Sequence, residues 1–198
     1  SKTERAKWGP ACKDYPAADD AYSSNVSYPG ETWITVNLPH DYIVKQTPKP
    51  EENNTLGYFT YENAWYRKHF TLSAQDKNRR ITLVFEGVAT HCTIYLNGCL
   101  MKHNFCGYTS FEVDITDVAK FDEENVLAVY VSTQQHEGWW YEGGGIYRHV
   151  WLIKTDPVAV DLWGLYAMPQ KVQDTLWKIP IQVTVLNTEY TDAQVEVS

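Results

Sequence analysis

The sequence predicts an all-β fold of the sandwich or barrel type, on three observations. Short runs of β-branched and aromatic residues recur along the chain, and turn residues bound each of them. Asn97-Gly98, the strongest short-range hairpin signal, lies between two such runs.

Taken in order, the clearest runs are Arg80–Glu86, Cys92–Asn97, Ser110–Ile115 and Val126–Ser132. In the first, Ile81, Leu83 and Phe85 fall on one face and Thr82, Val84 and Glu86 on the other, the period-two pattern of a half-buried strand. Helix is expected at most over Asp117–Asp122. Asp156-Pro157 then marks a boundary, since the residue before a proline is driven out of the helical region. Beyond it, Val158–Ala167, Leu176–Leu186 and Ala193–Val197 read as further strands. They are too few for a complete sandwich of roughly 100 residues. Residues 1–155 are thus expected to form one β-sandwich and residues 156–198 the incomplete start of another, with an exposed edge prone to association.

Two irregular stretches stand out. Lys45–Ala64, rich in Pro, Glu, Asn, Gly and Tyr, is long for a plain connection in a compact β domain and reads as functional or as an insertion. Gln134–Gly145 concentrates His136, Glu137, Trp139, Trp140, Tyr141 and Glu142 ahead of three consecutive glycines. Sugar sites combine an aromatic platform for the C–H face of a pyranose with polar groups for its hydroxyls. Trp139, Trp140, Tyr141 and Glu142 supply both kinds, and equally suit packing against a neighbouring domain. Either role predicts exposed tryptophans.

His40-Asp41 follows Pro39, which holds a turn in which Asp41 accepts backbone N–H groups; a place beside a sugar is the other reading. Arg148 enters a strand expected to be half buried and therefore calls for a carboxylate, Asp41 or Glu142. Gly143–Gly145 do not open a helix and no P-loop lysine follows, so close packing or backbone freedom explains them better than phosphate binding. Glu137 and Glu142 lie five residues apart on one loop, a spacing too common to imply independent hydrolysis.

Composition narrows the function classes. A chain of 198 residues with 43% hydrophobic and 21% charged residues can build a real core. Eight Trp and fourteen Tyr suit β-sheet packing or stacking on flat ligands. The net charge of −8 argues against nucleic-acid and anionic-membrane partners, and no apolar run is long enough to span a bilayer. Cys12, Cys92, Cys99 and Cys106 make no C-x-x-C pair and match no common zinc spacing, so buried or half-buried free thiols are expected, with a disulfide whose partners the sequence does not assign as the alternative. His69, His91, His103, His136 and His149 are scattered, and neither a metal nor a cofactor is expected.

Seven short motifs occur in order: Leu38-Pro39-His40-Asp41, Trp65-Tyr66-Arg67-Lys68, Phe85-Glu86-Gly87-Val88, Leu96-Asn97-Gly98, Val113-Asp114-Ile115-Thr116, Asn125-Val126-Leu127 and Gly145-Ile146-Tyr147-Arg148. Together, over roughly residues 30 to 155, they resemble the N-terminal sugar-binding domain of family 2 glycoside hydrolases, the group of β-galactosidases, β-glucuronidases and β-mannosidases. The resemblance implies a jelly-roll β-sandwich, followed by the start of an immunoglobulin-like β-sandwich. It also implies a parent with a TIM barrel, whose two catalytic glutamates lie about 5 Å apart in the retaining mechanism. This chain shows no barrel pattern, so a non-catalytic role is implied, with β-galactosidase the leading parent and β-glucuronidase next. The loop before Gly145 would then approach the barrel's active-site mouth and the β-linked glycoside held there. Autonomous carbohydrate binding and a purely structural or oligomer-forming role are the alternatives. A periplasmic or secreted setting is the family habit.

Overall fold

The computed structural model describes residues 22–23, 33–134, 138–189 and 191–196. Cys12, His136 and Glu137 lie outside the described residues, as does Val197 at the end of the last expected strand. The described residues divide into two compact units, the first running through Ile153 apart from Asn78–Arg80, the second holding Asn78–Arg80 and the chain from Lys154 onward.

The first unit is a β-sandwich. One sheet carries β1 (Tyr22–Ser23), β2 (Ala64–Thr71), β7 (Glu124–Ser132), β4 (His91–Leu96) and β5 (Cys99–Asn104), in the order β1-β2-β7-β4-β5. The other orders β6 (Phe111–Asp114), β3 (Arg80–Phe85) and β8 (Val150–Thr155) as β6-β3-β8. The described ladders are antiparallel. Apart from the hairpin β4–β5, each connection from β2 to β8 carries the chain from one sheet to the other.

Alternation decides which side chains meet between the sheets. Tyr66, Leu127, Val129, Val131, Cys92, Ile94 and Leu96 from the larger sheet join Ile81, Leu83, Phe85, Phe111 and Val113 from the smaller in one core. Phe85 and Phe111 are stacked, with ring centroids 5.0 Å apart. Strand β7 is buried on both faces from Val126 to Val129, which explains why its sequence reads as an unbroken apolar run rather than an alternation. Asn97 (φ 51°) and Gly98 (φ 80°) both take left-handed conformations, the turn that a two-residue hairpin requires.

The expected helix over Asp117–Asp122 does not form. Val118 and Ala119 donate their N–H groups to the Ile115 carbonyl, and the Lys120 N–H goes instead to the Asn125 side chain, which ends the turn. Strand β2 was visible only as the Trp65–Lys68 motif, because its charged and aromatic residues blur the period. The long loop is built on itself. Gln46 exchanges two hydrogen bonds with the Thr60 backbone (2.9 and 3.2 Å), and Asn53 caps a 3-10 turn over Asn54–Leu56 that buries Leu56.

In the second unit β9 (Val158–Ala167) pairs with β12 (Ile181–Asn187), and β10 (Gln170–Gln173) pairs with β11 (Leu176–Lys178). The expected strand Leu176–Leu186 is split, since Pro180 has no N–H to give to a ladder. Residues 193–196 form no strand. Cys92 is a buried free thiol whose pKa is pushed up to about 12 by its burial, so it is an inert packing residue.

Candidate functional site

The segment between β7 and β8 is held down at the glycines and left open at the tryptophans. The His40 N–H donates to the Ile146 carbonyl (2.8 Å), and the Tyr42 N–H to that of Gly144 (2.9 Å). Gly145 exchanges two backbone bonds of 3.0 Å with Ala89 on its other side. A backbone gripped from both sides leaves no room for side chains. A Cβ on Gly144 would lie 2.6 Å from Ile43, and one on Gly145, at φ +130°, would lie 2.4 Å from the Tyr66 hydroxyl and 2.5 Å from the His40 carbonyl. Close packing is therefore what the three glycines provide.

Asp41 is the hub of this corner. Its Oδ1 accepts the N–H groups of Ile43 (2.8 Å), Val44 (3.2 Å) and Gly144 (3.2 Å). Its Oδ2 accepts the Tyr141 hydroxyl at 2.7 Å. Burial and that bond to a carboxylate raise the Tyr141 pKa well above the usual phenol range, so the tyrosine is a fixed donor. His40 is buried, and its Nδ1 lies 2.8 Å from the Tyr66 hydroxyl. Burial and the Lys45 charge lower its pKa, with Asp41 opposing.

Beyond Tyr141 the loop is presented to solvent. Trp139 is 88% exposed and Trp140 53%. The Trp140 indole N–H donates to the Tyr108 hydroxyl (3.2 Å), and Gly138 lies against its ring so closely that a Cβ there would overlap it. The Phe59 ring meets Tyr141 edge-on at 5.6 Å, and the Glu142 N–H donates to the Tyr61 hydroxyl (3.3 Å). Asp41 and Tyr141 are thus brought together, and Glu142 is tied through its N–H to Tyr61, while Trp139 and Trp140 stand outward.

Arg148 is elsewhere. It is half-exposed, since β8 begins only at Val150, and its Nε lies 3.9 Å from Glu86 rather than near Asp41 or Glu142. Glu86 also accepts the Trp151 indole N–H (2.9 Å) and lies 3.3 Å from His149; the indole bond is the main reason its pKa falls. The sequence offered Asp41 and Glu142 because they are motif neighbours, whereas the adjacency of β3 and β8 in one sheet, with the Glu86 N–H donating to the His149 carbonyl (3.1 Å), brings Glu86 alongside. Tyr61, Phe59 and Tyr108 were missed as members of the site. Their one signal was the density of aromatics in the loops beside strands.

The architecture is that of a β-sandwich domain with one projecting aromatic loop, and comparison with known proteins assigns it more narrowly. Residues 20–143 match the family described as glycosyl hydrolase 2 galactose-binding domain-like, and the chain belongs to that family. It is 32% identical to a β-galactosidase of Bacteroides ovatus over 182 residues, covering 90% of this chain and 21% of that protein. A β-glucuronidase of Formosa agariphila is 28% identical over 194 residues, covering 83% of this chain and 19% of that protein. Among solved structures, a β-glycosidase from Bacteroides vulgatus superposes with a TM-score of 0.75 at 30% identity, covering 85% of this chain and 22% of that one. The chain thus spans about a fifth of the length of the relatives it matches.

Proposed function

We propose that this chain is the non-catalytic N-terminal domain of a retaining family 2 β-glycosidase, with β-galactosidase the leading activity and β-glucuronidase next. The catalytic glutamates belong to a barrel supplied by the rest of the parent polypeptide. Residues 138–142 form one wall of the pocket mouth, where Trp139 and Trp140 meet the sugar or the aglycone. The observation that supports this is the asymmetry of the loop: its base is fixed by the Tyr141–Asp41 hydrogen bond of 2.7 Å, while its tip leaves Trp139 88% exposed. An unanchored loop would pay ordering entropy at each encounter; one fixed at its base presents its rings ready-placed.

The test is Trp139→Ala with Trp140→Ala in the parent enzyme, assayed on aryl β-galactosides and β-glucuronides. A fall in kcat/KM of about tenfold or more, with an unchanged melting temperature, supports the wall; unchanged kcat/KM removes it.

A second reading, autonomous carbohydrate binding, is favoured by the way Trp140 is fixed at its edge by Tyr108 with its ring half-exposed. Tryptophan fluorescence of the chain titrated with galactose, lactose and glucuronic acid separates the two. A saturable shift lost in Trp140→Ala means the domain reads sugar alone, and a flat trace means that the loop works only beside the barrel.

A further inference from the structure

The long loop after the Asp41 corner is braced more firmly than a plain connection requires. Gln46 bonds the Thr60 backbone, the Lys49 Nζ donates to the Thr60 hydroxyl (3.1 Å), and that hydroxyl donates to Glu52 (2.8 Å). Between these ties Asn53 caps the 3-10 turn, its side chain accepting the Thr55 N–H (2.9 Å) and hydroxyl (2.7 Å). The turn runs out in two left-handed residues, Gly57 at φ +80° and Tyr58 at φ +62°. Glycine takes that conformation freely, whereas a bulky tyrosine there is an outlier. Two backbone bonds hold the tyrosine in place, its N–H donating to the Asn53 carbonyl (3.0 Å) and its carbonyl accepting the Lys49 N–H (2.7 Å).

No burial of the ring offsets this strain. Phe59 and Tyr61 pack toward the core and Leu56 is buried, while Tyr58 is 43% exposed. Between Lys45 and Asn63 it is the one large hydrophobic side chain left exposed, and Asn54 and Thr55 are exposed beside it in sequence. One flat ring near amide and hydroxyl groups is too small and too polar a surface for a protein partner, and matches one face of a pyranose.

The loop is also pressed against the candidate site. A Cβ on Gly57 would lie 3.7 Å from the Tyr141 ring, Phe59 meets that ring edge-on, and Tyr61 accepts the Glu142 N–H. Tyr58 is thus flanked on both sides by residues that lie against Tyr141, the anchored base of the loop that carries Trp139 and Trp140.

We propose that Tyr58 is a specificity-determining residue of the parent glycosidase, stacking on the sugar ring of the leaving group. The inference rests on the reading of residues 138–142 as one wall of the pocket mouth. In a retaining enzyme the sugar being cleaved sits between two carboxyl groups about 5 Å apart, both of which that reading assigns to the barrel. What extends out of the pocket toward this domain is then the leaving group. A ring already fixed in place meets it without the entropy loss of ordering a mobile side chain.

The test compares, in the parent enzyme, substrates that share a cleaved sugar and differ in whether a ring departs. The pairs are lactose against methyl β-galactoside, and cellobiouronic acid against methyl β-glucuronide. Tyr58→Gly and Tyr58→Asn both tolerate a left-handed backbone and lack the ring. Each should lower kcat/KM for the disaccharide by about fivefold or more and leave the methyl glycoside within about twofold, at an unchanged melting temperature. Tyr58→Phe keeps the ring and should keep the preference for the disaccharide. A preference unchanged in the Gly and Asn variants overturns the proposal. So does an equal fall on both substrates with a lowered melting temperature, which makes the ring structural. Hydrolysis by the unsubstituted parent keeps the two readings apart. Where it cleaves either pair, an unchanged preference refutes the role of Tyr58 alone; where it cleaves neither, both readings fall.

Discussion

Asn97 and Asn125, on opposite sides of the strand connections they stabilise, share a hydrogen bond of 3.0 Å. Asn97 also donates to the Val118 carbonyl (3.1 Å) and accepts the Val126 N–H (2.9 Å). Asn125, wholly buried, exchanges two bonds of 2.8 Å with the Lys120 backbone. Two of the seven sequence motifs, one around Asn97-Gly98 and one around Asn125, are therefore a single network that ties the β4–β5 hairpin to the start of β7. Replacing Asn125 with Ala strands the Lys120 N–H and carbonyl. It should cost about 2–4 kcal/mol, read as a lower urea midpoint at unchanged m-value.

The Asp41 hub predicts a coupling. Tyr141→Phe and Asp41→Ala should interact in a double-mutant cycle by about 0.5–1.5 kcal/mol, since the bond is charge-assisted but its tyrosine remains partly exposed. Asp41→Ala should be the more costly single change, because three backbone N–H groups lose their acceptor as well.

Gly145→Ala is expected to be the most damaging glycine substitution. Its Cβ would strike both the His40 backbone and Tyr66, and at φ +130° alanine is strained whatever the space. A loss above about 3 kcal/mol, or failure to fold, is expected by circular dichroism. Gly143→Ala at φ +73° meets one side-chain oxygen of Asp41 rather than backbone, so a smaller loss is expected, with the Tyr141–Asp41 bond disturbed.

His40 sets a pH dependence. Its folded pKa lies below the ordinary histidine value of 6.5, so between the two the unfolded chain binds the extra proton. Stability is fully present above about pH 6.5 and declines as pH falls toward the lowered folded pKa. His40→Gln should flatten that part of the profile. Urea unfolding between pH 5 and 8 checks it, and an unchanged slope in the variant would refute it.

Packing makes a further prediction. Phe85 is wholly buried and stacked on Phe111, so Phe85→Ala should cost about 3–5 kcal/mol. Phe85→Leu should cost less than half of that, read by thermal unfolding.

The sandwich was legible where local pattern and tertiary role agree. Strand β3 alternates, the hairpin turn carries Asn97-Gly98, and β7 is apolar on both faces because both are buried. Strand β2 was obscured because Arg67 and His69 share it with Trp65 and Tyr66. The site was legible as types of residue and not as pairs. The Tyr141–Asp41 bond spans a hundred positions, and the Glu86 partner of Arg148 depends on which strands become neighbours. Neither spacing nor composition encodes that.

The zigzag of strands between two sheets also sets an order of events during synthesis. Strand β2 pairs with β7, and the corner at 40–42 closes on 144–146, so almost every early segment waits for a late one. Of the described ladders in the two sheets, only the β4–β5 hairpin can form as it emerges. Contacts of such sequence separation make folding slow, and leave edges and apolar faces uncovered meanwhile. A ribosome-bound chain stalled before Gly145 clears the exit tunnel should therefore remain protease-sensitive, then gain resistance abruptly once β8 is released.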